Sequence, residues 1–231
     1  MELTELKDKI ISSFIGNKKE LLEILALVEN DNAVFPFNEY EFLICNLIEK
    51  KGLTFQTYLK IREEYLRKNP NLYYFELVGK GFGGIMESYI HGKCPELQIS
   101  DDNKYDFKLN DIKIEIKAGR AVENNRPQNE PLVQKALARN TTKNFDIIIE
   151  QIKPDFCDVF VWVVVYRDDM DIWILSSKEV KNLKGYSDKQ HAKSKGVGQF
   201  HIKPNNIKTL DKYKFKGKNL KRAIQNAAKR T

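Results

Sequence analysis

Thiols and imidazoles are scarce in this sequence, with three cysteines and three histidines in 231 residues. Cys45, Cys94 and Cys157 show no C-x-x-C spacing, which argues against a disulfide framework and against a cysteine zinc site. His91, His191 and His201 include no i, i+4 pair, so a zinc centre is not indicated. No run approaches the roughly 18 to 20 apolar residues that a membrane span needs. The opening MELTELKDK is acidic and helical, where a secretory signal is basic and then apolar. A soluble, cytoplasmic protein with reduced thiols is expected. Internal repeats and low-complexity linkers are also missing, while 42% apolar and 11% aromatic residues suffice for a core and exclude wholesale disorder.

What the chain does have is unevenly placed charge. The formal charge is +7. From Lys184 onward there are 14 basic and 2 acidic residues, net +12, which leaves −5 for residues 1–183. Such a concentration repels itself unless a polyanion balances it, and nucleic-acid phosphates are the obvious counterpart.

Periodicity divides the chain into three regions. Residues 1–70 carry repeated helical spacing (Leu3, Leu6, Ile10; Leu21, Leu25, Val28; Leu43, Leu47; Tyr58, Ile61, Tyr65), which predicts four short helices closed by Asn69-Pro70. Residues 71–183 predict an α/β core. It has a helix around 79–91, strands at 105–109 and 112–118, helical patterns at about 131–152, and the apolar run CDVFVWVVVY, which suits a central strand covered on both faces. DIWIL then predicts a further strand and SSKEVKNL a short helix. Residues 184–231 form the basic C-terminal region, ending in the helix KNLKRAIQNAAKR.

The segment YDFKLNDIKIEIKAGR carries the chemistry. A two-residue loop at Asn110-Asp111 pairs Leu109 with Ile112, Lys108 with Lys113, Phe107 with Ile114 and Asp106 with Glu115. The apolar pairs share one face; Asp106, Lys108, Lys113, Glu115 and Lys117 share the other. Directly opposed carboxylates destabilise a sheet unless something positive lies between them. A hard divalent cation held by oxygen ligands is the natural candidate. Lys117, two residues past Glu115 on the same face, is placed to orient a water or offset charge on a phosphate, an arrangement suited to phosphodiester hydrolysis. An amphipathic edge hairpin with a solvated charged face is the plain alternative.

These residues resemble the signature of the PD-(D/E)XK nucleases, and of type II restriction endonucleases in particular. Asp106 matches the Asp of the first strand, Glu115 the acidic position of the second and Lys117 the lysine, in YDF...EIK; Tyr105 stands where the name-giving pattern has Pro. The resemblance covers about residues 72–176. It implies a restriction-endonuclease-like core, a mixed sheet flanked by helices, and Mg2+-dependent cleavage of double-stranded DNA at a specific site. It further implies Mg2+ on Asp106 and Glu115, a homodimer for a two-fold-symmetric site, and a cognate DNA methyltransferase as companion. Such nucleases often carry another Glu on the helix before the hairpin. Glu87 in GGIMESYI matches, beside the apolar stripe Phe82, Ile85, Met86, Tyr89 and Ile90, with Glu76 a weaker competitor.

For DNA contact, KQHAKSKGVGQFHIK mixes lysines with Gln190, His191, Gln199 and His201, side chains able to read base edges. Arg120 and Arg126, just past the catalytic strand, are placed to grip the backbone. Gly79, Gly81 and Gly84 satisfy the letter of G-x-G-x-x-G, but a hairpin follows instead of a βαβ unit, so close helix packing or phosphate approach is the preferred reading over a dinucleotide site. No Walker A lysine follows. The rival functions are a repair or junction-resolving nuclease of the same core, and a non-catalytic DNA-binding protein.

Overall fold

The computed structural model describes residues 54–76, 80–125, 132–189 and 195–230. The chain divides into two compact units, Met1–Lys68 and Asn69–Thr231. In the first, helix α1 (Phe55–Lys68) opens on Thr54, whose hydroxyl accepts the Thr57 N–H at 3.2 Å, and stops before Asn69-Pro70, as the restricted residue before proline requires. The three helices expected ahead of it lie outside the described residues. Among the described residues no helix is long and apolar enough to cross a membrane.

The second unit is an α/β arrangement around a mixed five-stranded sheet. Its strands are β1 (Gln98–Ile99), β2 (Phe107–Leu109), β3 (Ile112–Arg120), β5 (Val159–Val165) and β6 (Met170–Ser176), in the order β1-β2-β3-β5-β6. Three of the four expected β2–β3 pairs form, with Phe107 opposite Ile114, Lys108 opposite Lys113 and Leu109 opposite Ile112; the fourth, Asp106 with Glu115, does not, because the Asp106 N–H donates to Ile114 O and its carboxylate takes the Ile116 N–H. Asn110 takes a left-handed backbone (φ 54°), which asparagine tolerates in a tight turn. β5 pairs parallel with β3 and antiparallel with β6. All seven of its residues are buried, so the apolar run does occupy the middle of the sheet.

The two faces of this sheet are covered differently. Helix α2 (Lys80–Lys93) buries Phe82, Met86 and Ile90, and its His91 stacks on Phe107 at 5.6 Å. The terminal helix α5 (Leu220–Ala228) buries Leu220, Ile224 and Ala227 and packs on β5 and β6. A second, three-stranded antiparallel sheet meets β3 through its first strand. It consists of β4 (Ile147–Ile152), β8 (Lys195–Ile202) and β7 (Ser187–Lys189), in the order β4-β8-β7. Trp162 and Phe200, 5.5 Å apart, join the two sheets in one core with Ile147, Ile149, Trp173 and Ile202. The short helices α3 (Leu132–Lys135) and α4 (Ser177–Lys181) complete the unit, the latter closed by a capping box between Ser176 and Glu179.

Two expectations change. The helical pattern expected over 131–152 is only α3; the rest is a turn followed by β4. Ile147, Ile148 and Ile149 are β-branched and alternate buried, exposed, buried, a strand pattern that a short apolar run cannot announce by periodicity alone. Of the glycine cluster, for which close packing or phosphate approach was expected, Gly79 lies outside the described residues, and Gly81 and Gly84 lie inside α2, where no described atom beyond that helix's own backbone and their chain neighbours stands within 4 Å of a Cβ built on either.

Close approach is instead required at Gly119, where a Cβ would collide with Ile147 Cγ2 across the sheets. Gly119→Ala is therefore expected to cost about 1–3 kcal/mol through overpacking, measurable as a lower urea midpoint with an unchanged slope.

Candidate active site

The hairpin's strands are unequal in length, and this builds the site. β2 ends its pairing at Phe107, opposite Ile114, so among the described residues the β2 ladder does not extend along β3 beyond Ile114. Asp106 stands at this step. Its backbone N–H donates to Ile114 O at 3.0 Å, and its carboxylate oxygen Oδ2 accepts the Ile116 N–H at 2.6 Å. The carboxylate thus takes the place of the missing strand and is fixed against the edge of β3.

The charged face expected for the hairpin divides into wet and dry parts. Lys108 and Lys113 are exposed. Glu115 is buried at 8% exposure because the second sheet covers this end of β3. Lys117 Nζ lies 2.6 Å from Glu115 Oε1, with both side chains largely covered, so a pair two residues apart on one strand forms a screened ion pair.

The electrostatics tie four expected residues together. Burial pushes the Asp106 carboxyl above its ordinary range, against the opposing effects of the Ile116 N–H and the Lys117 charge. Burial likewise raises Glu115; Lys117 opposes this and the Asp106 charge adds to it. Glu87 is raised by burial and then by Asp106, with Lys117 opposing. Asp106 and Lys117 therefore act on both Glu87 and Glu115. Glu76 is raised by burial alone and takes no part.

Lys153, at the end of β4, was not foreseen, because its segment reads as helical in sequence. Its charge acts on Glu115, bringing a second cation to the site from the other sheet. Cys157 is close enough to be influenced by Glu115 and Lys117, but burial pushes its thiol up to about 12, which keeps it protonated and inert.

The residues expected to touch DNA are dispersed. Arg120, at the far end of β3, lies over the Phe82 ring at 4.0 Å. Gln199 and His201 are on β8, where His201 Nδ1 sits 2.8 Å from Asp146 Oδ1 and Lys203 Nζ 3.2 Å from Asp146 Oδ2. Arg126, Gln190 and His191 lie outside the described residues.

The donors at this site suit one class of metal. Among the described residues no three His, Cys, Asp or Glu side chains gather into a ready-made cage. Zinc sites are usually such cages. Mg2+ instead prefers one or two carboxylates, with waters and substrate phosphate completing its shell. Asp106 Oδ1, beside the engaged Oδ2, and the buried Glu115 fit that description; burial is the main cause of their raised proton affinity, and the Lys117 charge opposes it at both.

A pH dependence follows. The folded pKa of Asp106 is raised, so its contribution to stability is complete below the unfolded value, about 3.9, and is lost as pH rises through the folded value. Asp106→Asn keeps an oxygen for the Ile116 N–H and removes the charge. In metal-free buffer its urea midpoint should gain on wild type between pH 4 and pH 7; an equal loss at both pH values would contradict this.

No protein-family model, curated protein or solved structure matches the chain.

Proposed function

We propose that the chain is a Mg2+-dependent endonuclease acting on double-stranded DNA at a specific site, in the manner of type II restriction enzymes, with a PD-(D/E)XK core formed by α2, β2, β3 and β5. The observation that carries this reading is the Glu115–Lys117 pair, buried on β3 beside the anchored Asp106. A solvated edge hairpin has no reason to bury a like-charged pair next to a lysine, since desolvation penalises every member.

Asp106 and Glu115 would hold Mg2+, with Glu87 acting as a further ligand or through a water. Bound there, the ion would neutralise the scissile phosphate and lower the pKa of a water. The Ile116 N–H keeps Asp106 from turning away. Lys117, released from full engagement with Glu115, hydrogen-bonds the attacking water and offsets charge on the non-bridging oxygens. The water oxygen bonds to phosphorus as the P–O3′ bond breaks, leaving a 5′-phosphate and a 3′-hydroxyl. Two copies related by a two-fold axis would cut both strands of a symmetric site, and a methyltransferase of matching specificity would protect the host's own DNA.

The test is incubation of supercoiled plasmid with the full chain, with Mg2+ or with EDTA, followed by sequencing of the ends. Discrete fragments bearing 5′-phosphates, formed only with Mg2+, are expected. Preference for branched substrates would favour a repair or junction-resolving enzyme, and binding without cleavage a DNA-binding protein.

A further inference from the structure

The basic C-terminal region is built into the second unit, and its cations converge. Residues 212–215 run along the outer edge of β6: Phe215 N–H donates to Ile172 O at 2.8 Å, and Lys214 bridges to Trp173. Arg230 donates to Ile174 O at 2.8 Å and closes the far side. Between this segment and α5 lies a concave pocket of about 400 Å3. Lys212, Lys214, Lys216, Lys218, Arg222 and Arg230 line it, and among the described residues no carboxylate does.

Two of these six cations are already neutralised. Lys214 Nζ lies 2.6 Å from Asp171 Oδ1 and Arg230 Nε 2.8 Å from Glu179 Oε1. The other four, Lys212, Lys216, Lys218 and Arg222, are exposed and form no ion pair with any described residue. The backbone carrying them is fixed by the β6 edge, by the Asn219 side chain capping α5 and by the buried stripe of α5. Lys216, Lys218 and Arg222, with Lys212 offset only by the more distant Glu179 charge, would repel one another around one concavity on a rigid frame in the absence of an anionic partner.

We infer that this pocket is a docking site for the DNA phosphodiester backbone, separate from the cutting centre and placed beyond the opposite edge of the five-stranded sheet from β2. The inference rests on reading the chain as an enzyme of DNA. β5 and β6 stand between β3 and the pocket, about 10 Å of sheet at ordinary strand spacing. The pocket therefore engages phosphates several base pairs from the scissile one and holds the duplex without entering the chemistry. Its contacts carry no sequence information, since lysines on phosphates position a duplex and do not read it.

The experiment is binding of the full chain to a fluorescent 25-base-pair duplex in EDTA, where no cutting occurs, at about 50 to 200 mM KCl. A triple variant, Lys216→Ala with Lys218→Ala and Arg222→Ala, is compared with wild type. A control triple, Lys104→Ala with Lys178→Ala and Lys208→Ala, removes the same charge from exposed positions outside the pocket. The pocket variant should bind at least tenfold more weakly, and its log K against log salt slope should fall by about 2 to 3, or about 0.9 per lost phosphate contact. The control should stay near wild type. Equal weakening in both triples, or an unchanged slope in the pocket variant, would overturn the inference. The double variant Lys216→Glu with Lys218→Glu gives a second reading should the triple fold poorly. Cleavage is not part of the readout, so the two readings fail separately. Loss of binding in a chain that never cuts would refute the nuclease and keep the pocket. Wild-type binding and salt slope in the pocket variant would refute the pocket alone.

Discussion

Glu115→Ala is expected to lower the rate of Mg2+-dependent DNA cleavage by about two to four orders of magnitude, since a ligand that places charge-neutralising metal at a phosphate accounts for several kcal/mol of barrier at 1.36 kcal/mol per decade. Lys117→Ala should lose about 10²–10³, the scale of one preorganised donor facing developing charge. Lys117→Arg should not restore the rate, because a planar fork cannot occupy the place of a compact ammonium 2.6 Å from Glu115. The double variant should be little worse than the poorer single one, as happens when residues act as a unit. Single-turnover cleavage measures all four. Both alanine variants also break a screened ion pair, so circular dichroism and melting must first show that each is folded; a folded variant that cuts at the wild-type rate removes that residue from the mechanism.

Trp162→Ala should have the largest effect on stability, about 3–5 kcal/mol. Trp162 is fully buried at the middle of β5, opposite Lys117 on one side and Trp173 on the other, and its ring meets Phe200 of the second sheet. Against a typical domain stability of about 5–15 kcal/mol, that loss removes much of the total. Its indole Nε1 is buried and has no hydrogen-bond partner among the described residues, so Trp162→Phe deletes an unsatisfied donor while keeping a ring, and should cost under about 1.5 kcal/mol. Urea denaturation distinguishes the two. Near-equal losses would show that the second sheet does not depend on this contact.

The three pairs nearest the turn were readable from sequence because a two-residue loop fixes them, and Asn110 supplies the required left-handed backbone; the expected pairing of Asp106 with Glu115 was lost because β2 stops at Phe107. β5 was readable because seven successive apolar residues at strand length suit a central strand. Glu87, read at the border of its helix's apolar stripe, is partly buried and lies in the fields of Asp106 and Lys117. The second sheet was not readable. β4 opens on three isoleucines that serve a helix or a strand equally well, and β8, KGVGQFHI, is polar, glycine-bearing and made a strand by its partners. Missing that sheet hid the burial of Glu115, the approach of Lys153 and the tight contact at Gly119. The C-terminal charge was plain in sequence, but which cations meet carboxylates and which stay unneutralised depends on Asp171 and Glu179, both distant in the chain.

The most direct test of the central claim, that Asp106, Glu115 and Lys117 form one Mg2+-dependent cutting centre, is a parallel digestion of supercoiled plasmid. Wild type, Asp106→Asn, Glu115→Gln and Lys117→Met would each be verified as folded and then compared at one enzyme concentration with Mg2+. Discrete linear products are expected from wild type and residual nicking at most from each variant. Products from any of the three at the wild-type rate, or a wild type that leaves the plasmid supercoiled, would contradict the claim.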